Sequence, residues 1–248
     1  MEKRQAIVPV ALLCAYAWMS QQSFEVLTRA GKALGPYGFS LIVNTAAIVL
    51  IILVLQAQGQ PALRALGIAR SPLRPLLFGL LATTPAWLGF LLTAQPHAFT
   101  ARQMILLCWY FPFAEELIFR GYVFGQLYFR ARLGFWPSAL IPALIFAACH
   151  LYQSNEPLEL LGIFAITALG SLVFSYFLIR FDGNLWAPVA LHALLNTWWM
   201  VFTSNNSALG GYADNLFRFA SIGLAFGIVR WFATKRRPGN VPRPPSQT

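Results

Sequence analysis

Residues 104–129 read MILLCWYFPFAEELIFRGYVFGQLYF. The stretch exceeds the roughly 20 mostly apolar positions that a helix needs to cross a bilayer, yet Glu115, Glu116 and Arg120 stand in its middle. A charge at the centre of a spanning helix costs about 2.5–3.5 kcal/mol on insertion scales. Each Leu, Ile or Phe offsets only about 0.3–0.6 kcal/mol of that. The face carrying these charges must therefore meet protein or water, and lipid is excluded. Glu116 and Arg120 are four residues apart and can pair along one helix face. That pair can pin helix packing or take part in chemistry, and both readings stand. Glu115 is rotated about 100° from Glu116, so one partner need not serve both carboxylates. With no cation near it in sequence, Glu115 reads as a chemical group.

Seven further apolar runs surround this one, at 6–26, 38–57, 75–94, 136–152, 158–180, 184–204 and 216–233. Of the 248 residues, 58% are hydrophobic and only 10% are charged, with a mean hydropathy of +0.60. Soluble domains carry about 25% charged residues, so the bilayer must be the solvent here. The expected fold is all-α: a polytopic membrane helical bundle of about eight transmembrane helices in one domain, 1–234, with a core at about 104–204. The tail, 235–248, holds four prolines and four basic residues and reads as a disordered cytoplasmic extension. The first run is the weakest, because Pro9 interrupts it and Gln21, Gln22 and Glu25 follow. Its basic start and Ala15-Tyr16-Ala17 also fit a cleaved signal peptide, although a retained span is the reading adopted.

The formal net charge is +10. In a soluble chain this would suggest nucleic acid, but the basic residues cluster between apolar runs and sort by side. With eight spans, 13 Lys and Arg fall on the side of the N-terminus: Lys3, Arg4, Arg64, Arg70, Arg74, Arg130, Arg132, Arg180, Arg230, Lys235, Arg236, Arg237 and Arg243. Four fall opposite: Arg29, Lys32, Arg102 and Arg218. The bias toward positive cytoplasmic loops then places both termini in the cytoplasm and the chain in the cell membrane. The three cysteines, Cys14, Cys108 and Cys149, are odd in number and form no C-x-x-C, so no disulfide framework is expected.

Two more runs carry polar groups. In Phe146-Ala-Ala-Cys-His150 the aromatic ring and the imidazole share a face, so Phe146 can wall one side of His150. Cys149 points about 100° away, which disfavours a Cys–His dyad. In NLWAPVALHALLN, residues 184–196, His192 and Asn196 share a face and can turn to one ligand, or Asn196 can bridge to a neighbouring helix. His97, beside Pro96 in a loop, receives no role. Taken together, a carboxylate can act as general base toward water, a nearby His can hold that water and pass protons, and a second His with an Asn can donate to a developing oxyanion. The set suits hydrolysis of an amide bond in a protected cavity.

The order of these motifs resembles the CAAX-protease and bacteriocin-processing family, also called Abi, of intramembrane proteases related to the Ras-converting enzyme. The family pattern is Glu-Glu-x-x-x-Arg, Phe-x-x-x-His and His-x-x-x-Asn. Here it is met by Glu115-Glu116-x-x-x-Arg120, Phe146-x-x-x-His150 and His192-x-x-x-Asn196, with Asn184-Leu185-Trp186-Ala187-Pro188 as a similar lead-in. The resemblance covers roughly 104–204. It implies a glutamate-type endopeptidase acting on a membrane-associated protein or peptide. Glu115 would activate water with His150 assisting, His192 and Asn196 would form the oxyanion site, and Glu116 and Arg120 would support and orient. No cofactor is expected. The alternative is zinc on Glu115, His150 and His192, although these residues lack the H-E-x-x-H helix of zincins.

Three rival functions fit less of the pattern. A transporter explains intramembrane charge, but transporters usually show repeated halves and none is visible here. A haem protein would use the two His residues and leave the glutamates and Asn196 idle. An immunity or scaffold protein of the same fold would have no need of the full motif set.

Overall fold

The computed structural model describes residues 2–21, 25–202 and 209–235. The expected tail beyond Lys235 lies outside the described residues. No strand occurs among those described. The helices are α1 (Glu2–Ser20), α2 (Glu25–Ala33), α3 (Gly38–Ala57), the short α4 (Ala62–Ala65), α5 (Leu73–Ala82), α6 (Thr84–Thr93), α7 (101–130), α8 (Phe135–Ala148), α9 (Pro157–Arg180), α10 (Trp186–Phe202) and α11 (Tyr212–Lys235). A helix occupies each of the eight apolar runs. Among the described residues, α3, α8 with its continuation to Gln153, and α9 are long and apolar enough to cross a membrane, and the bent pair α5–α6 makes a fourth. Leu88, Leu92, Leu158 and Leu161 are each more than 60% exposed, as befits side chains facing lipid. The chain is an integral membrane protein of apolar helices.

Three departures from the sequence reading have local causes. The first run does not continue to residue 26: α1 stops at Ser20, and α2 is a separate helix. The third run bends by 41° between α5 and α6. Pro85 has no N–H to give the Leu81 carbonyl, and Thr84 Oγ1 fills that place at 2.8 Å. The freed Ala86 N–H donates to Ser221 Oγ of α11 at 3.2 Å. The third departure is in α7, whose turns are wider than α-helical. The N–H groups of Phe111, Gly125 and Ala131 reach back five residues, to the carbonyls of Leu106, Arg120 and Gln126. Such π-turns are frequent at functional sites.

α7 is the hub and packs against α1, α3, α8, α9 and α10. α1 is part of the same core, with Leu13 buried beside Ile51 and Leu55 of α3 and Phe119 and Val123 of α7. The loop after α4 fixes where α10 begins. Leu185 N–H donates to Gly67 O (3.2 Å), Asn184 Nδ2 to Ser71 O (3.0 Å) and Trp186 Nε1 to Ile68 O (3.2 Å). Asn184 Oδ1 accepts from Trp186 N–H at 3.1 Å and caps the helix start. Gly67 has φ +76°, and a Cβ there would run into the Gly183 carbonyl, so only glycine allows this approach. The Asn184–Pro188 lead-in is thus a docking device that sets the height of His192.

Candidate active site

Arg120 is fully buried, and its Nη1 lies 3.2 Å from Oε1 of the equally buried Glu116. Arg120 Nε and Nη2 have no hydrogen-bond partner among the described residues. Aromatic rings surround the guanidinium instead: Phe146 at 4.6 Å, Phe174 at 5.5 Å and Phe119 at 6.0 Å. Their π faces supply favourable electrostatics where water is missing. Phe174 comes from α9, for which the sequence offered no motif.

Glu116 Oε1 also meets His192 Nδ1, at 2.8 Å. The other ring nitrogen, Nε2, lies 3.9 Å from Oε2 of Glu115. One imidazole therefore stands between both carboxylates. From sequence, the angle of about 100° between Glu115 and Glu116 means only that one partner need not serve both. The wide turns of α7 put more residues in each turn and reduce the angle between neighbours. Glu115 is 23% exposed and His192 13%, whereas Glu116 is sealed. The face of the imidazole rests against Phe174, with ring centroids 5.3 Å apart.

His150 ends α8. Its own N–H turns to Ala147 O, which leaves the Phe146 carbonyl without its helical donor, and the His150 ring takes that place with Nδ1 2.7 Å from Phe146 O. This bond puts the proton on Nδ1 and leaves Nε2 as the basic atom. The expected aromatic wall is present, with Phe146 4.5 Å from the imidazole centroid. Cys149 faces Ser20 of α1, and the three cysteines are free thiols.

Asn196 has a partner that the sequence left open. Its Nδ2 donates to Leu107 O of α7 at 3.2 Å. In the wide register of α7, the donor for that carbonyl would be residue 112, which is proline. Asn196 replaces the missing N–H and ties α10 to α7 one turn from His192.

The zinc alternative would draw on Glu115, His150 and His192, and the two imidazoles each hold Nδ1 on a protein acceptor, as metal-ligating histidines also do. Among the described residues no three His, Cys, Asp or Glu side chains converge as metal ligands would. Glu115, Glu116, Arg120 and His192 form one connected cluster, with Asn196 joined to the same two helices and His150 at its Phe146 side.

No curated protein and no solved structure matches the chain. Residues 97–198 match the family model described as type II CAAX prenyl endopeptidase Rce1-like, a segment that contains all seven motif residues. Over this segment, somewhat less than half of its length, the chain resembles the Rce1-like CAAX protease family.

Proposed function

We propose that this protein is an intramembrane endopeptidase in which Glu115 activates water against a peptide bond of a membrane-associated protein or peptide. The observation that carries the reading is His192, held at Nδ1 by Glu116 and presenting Nε2 to Glu115. The 3.9 Å gap is too long for a direct hydrogen bond. A water beside it can give one hydrogen to the Glu115 carboxylate and one to Nε2, which turns its lone pair outward. As that oxygen attacks the carbonyl carbon, its proton passes to Glu115. Collapse of the tetrahedral adduct breaks the C–N bond, and the leaving amine takes a proton from Glu115 or through the imidazole. Glu116 acts as the orienting carboxylate does in a Ser-His-Asp triad, and Arg120 holds Glu116 in place. His150 Nε2 is a second proton carrier. This assignment moves His192 from the expected oxyanion role to the water, and it gives Asn196 the task of holding α10 in register. No step requires a metal.

The site sits in an eight-span bundle with both termini in the cytoplasm, a reading supported by the sorting of basic residues and by helices over all eight apolar runs. A reporter fused at the C-terminus is expected on the cytoplasmic side, and one at Asn155 on the opposite side. The activity test is cleavage of a membrane-anchored peptide library by detergent-purified protein, with and without exhaustive chelation. Cleavage that survives chelation and is lost in Glu115→Gln is the expected result. Cleavage that disappears on chelation and returns with zinc would replace this mechanism with a metal-based one.

A further inference from the structure

Most hydroxyls in these helices bond the carbonyl four residues back. Ser175 Oγ donates to Ser171 O at 3.0 Å, and Thr197 Oγ1 to Ala193 O at 2.8 Å. Ser171 of α9 does not: it is 1% exposed, and its Oγ has no hydrogen-bond partner among the described residues. The same holds for Glu116 Oε2 and for Arg120 Nε and Nη2, on side chains that are fully buried. Buried polar groups in native proteins nearly always find a partner, ordered water included.

The helices bring these groups to one height. α7, α8 and α9 follow one another through the short segments 131–134 and 149–156, and α8 packs against both of the others. Short connections make consecutive helices antiparallel, so α9 runs in the same direction as α7. Phe174 of α9 lies 5.5 Å from the Arg120 guanidinium and rests against His192, whose Nδ1 meets Glu116 Oε1. One turn before Arg120 on α7 stands Glu116. One turn before Phe174 on α9 stands Ser171, on the buried stripe of Ser171, Phe174, Ser175 and Leu178. Equal steps in the same direction put the Ser171 hydroxyl level with the Glu116 carboxylate, on the face of α9 turned to α7.

We infer that Ser171 is a positioning residue for Glu116: its hydroxyl and the free edge of Arg120 hold one buried water that donates to Glu116 Oε2. The water accepts from the Ser171 O–H and from an Arg120 N–H and gives one hydrogen to Oε2. These are the roughly three hydrogen bonds that a buried water makes. With Oε2 engaged, Oε1 stays fixed on His192 Nδ1, and Nε2 keeps its aim at Glu115. Ser171 thus acts through Glu116 and His192. Its effect on turnover rests on the role given to His192 above, whereas its bond to the buried pair does not.

Ser171→Ala removes the hydroxyl and almost no volume. Tm should fall, and with a peptide identified from the library kcat should drop about three- to tenfold at near-constant KM, the weight of one hydrogen bond. Ser138→Ala is the control, since its hydroxyl is equally buried and unpartnered but lies on α8 more than two turns from Phe146. It should leave kcat unchanged and Tm at or above that of the parent. Unfolding free energies should show coupling between Ser171→Ala and Glu116→Gln, and additivity between Ser138→Ala and Glu116→Gln. A high-resolution crystal structure should show the water touching Ser171, Arg120 and Glu116. Additive changes at Ser171 and Glu116, or a Ser171 hydroxyl turned to a carbonyl of its own helix, would overturn the proposal. So would parental kcat in Ser171→Ala, which removes the positioning role even if Tm falls. A Glu115→Gln protein that cleaves as fast as the parent sinks the catalytic reading alone, because the coupling is read from stability.

Discussion

α7 and α10 bury a carboxylate, a guanidinium and an imidazole against one another, whereas the polar groups of α3, α5 and α6 mostly answer their own helices. Thr45, Thr83 and Thr93 each bond the carbonyl four residues back, and Asn44 does the same while also accepting from Tyr16. A hydroxyl or amide satisfied within its own helix costs little to place in a bilayer and little to remove. Glu116, Arg120 and His192 depend on partners across helices, so removing one strands the others in a medium without water. The two halves should therefore respond differently to substitution, and within the second half each motif residue should fail in its own way.

The largest effect belongs to Glu115, which is partly exposed and whose nearest ionic neighbour is the far nitrogen of His192. Glu115→Gln preserves shape and removes the basic oxygen. Activity should fall by a factor of about 10²–10⁴, the usual weight of general acid–base catalysis, while Tm stays near that of the parent. Parental turnover in this variant, in the same detergent, would remove Glu115 from the chemistry.

Glu116 should fail by destabilisation as well. Glu116→Gln leaves Arg120 charged and buried among Phe119, Phe146 and Phe174 with no counter-ion. Breaking such a pair costs about 3–5 kcal/mol, so expression and Tm should drop along with activity. Arg120→Met in that background removes the stranded charge and should recover part of the stability. Activity should stay low, because His192 has lost its orienting carboxylate. A Glu116→Gln protein as stable as the parent would show that Arg120 has another anchor, and the contrast between the neighbouring glutamates would collapse.

The apolar runs and the three motifs were legible because each follows from residue type at a fixed spacing. The bend at residue 83 was legible in principle, since Pro85 stands inside the run. The shared imidazole was not. Its prediction needed the turn width of α7, which depends on tertiary packing and leaves no mark in a motif. Phe174 was equally hidden: it is one of several phenylalanines in an apolar run, and only the approach of α9 to α7 makes it the wall of both Arg120 and His192. The polar pair Tyr16–Asn44 was visible as two residues, but nothing in their spacing links α1 to α3. Short-range patterns survive in sequence, and contacts set by helix crossings do not.

The smallest effect tests that lesson at Asn196. If its amide replaces the N–H that Pro112 lacks, the need for it should vanish when residue 112 can donate. Asn196→Leu in the parent leaves the Leu107 carbonyl without a donor, and interhelical hydrogen bonds in membranes contribute about 0.6–1.7 kcal/mol. Pro112→Ala restores an N–H whose acceptor, in the wide register of α7, is that same carbonyl. In the Pro112→Ala background, Asn196→Leu should therefore cost less than half as much, and the two substitutions should be coupled in a double-mutant cycle of unfolding free energies. The direction is specific to this geometry. Had Asn196 acted only through substrate, the helix backbone at residue 112 would be indifferent to its loss. A coupling energy indistinguishable from zero would break the link between α7 and α10 drawn here and return Asn196 to the oxyanion site.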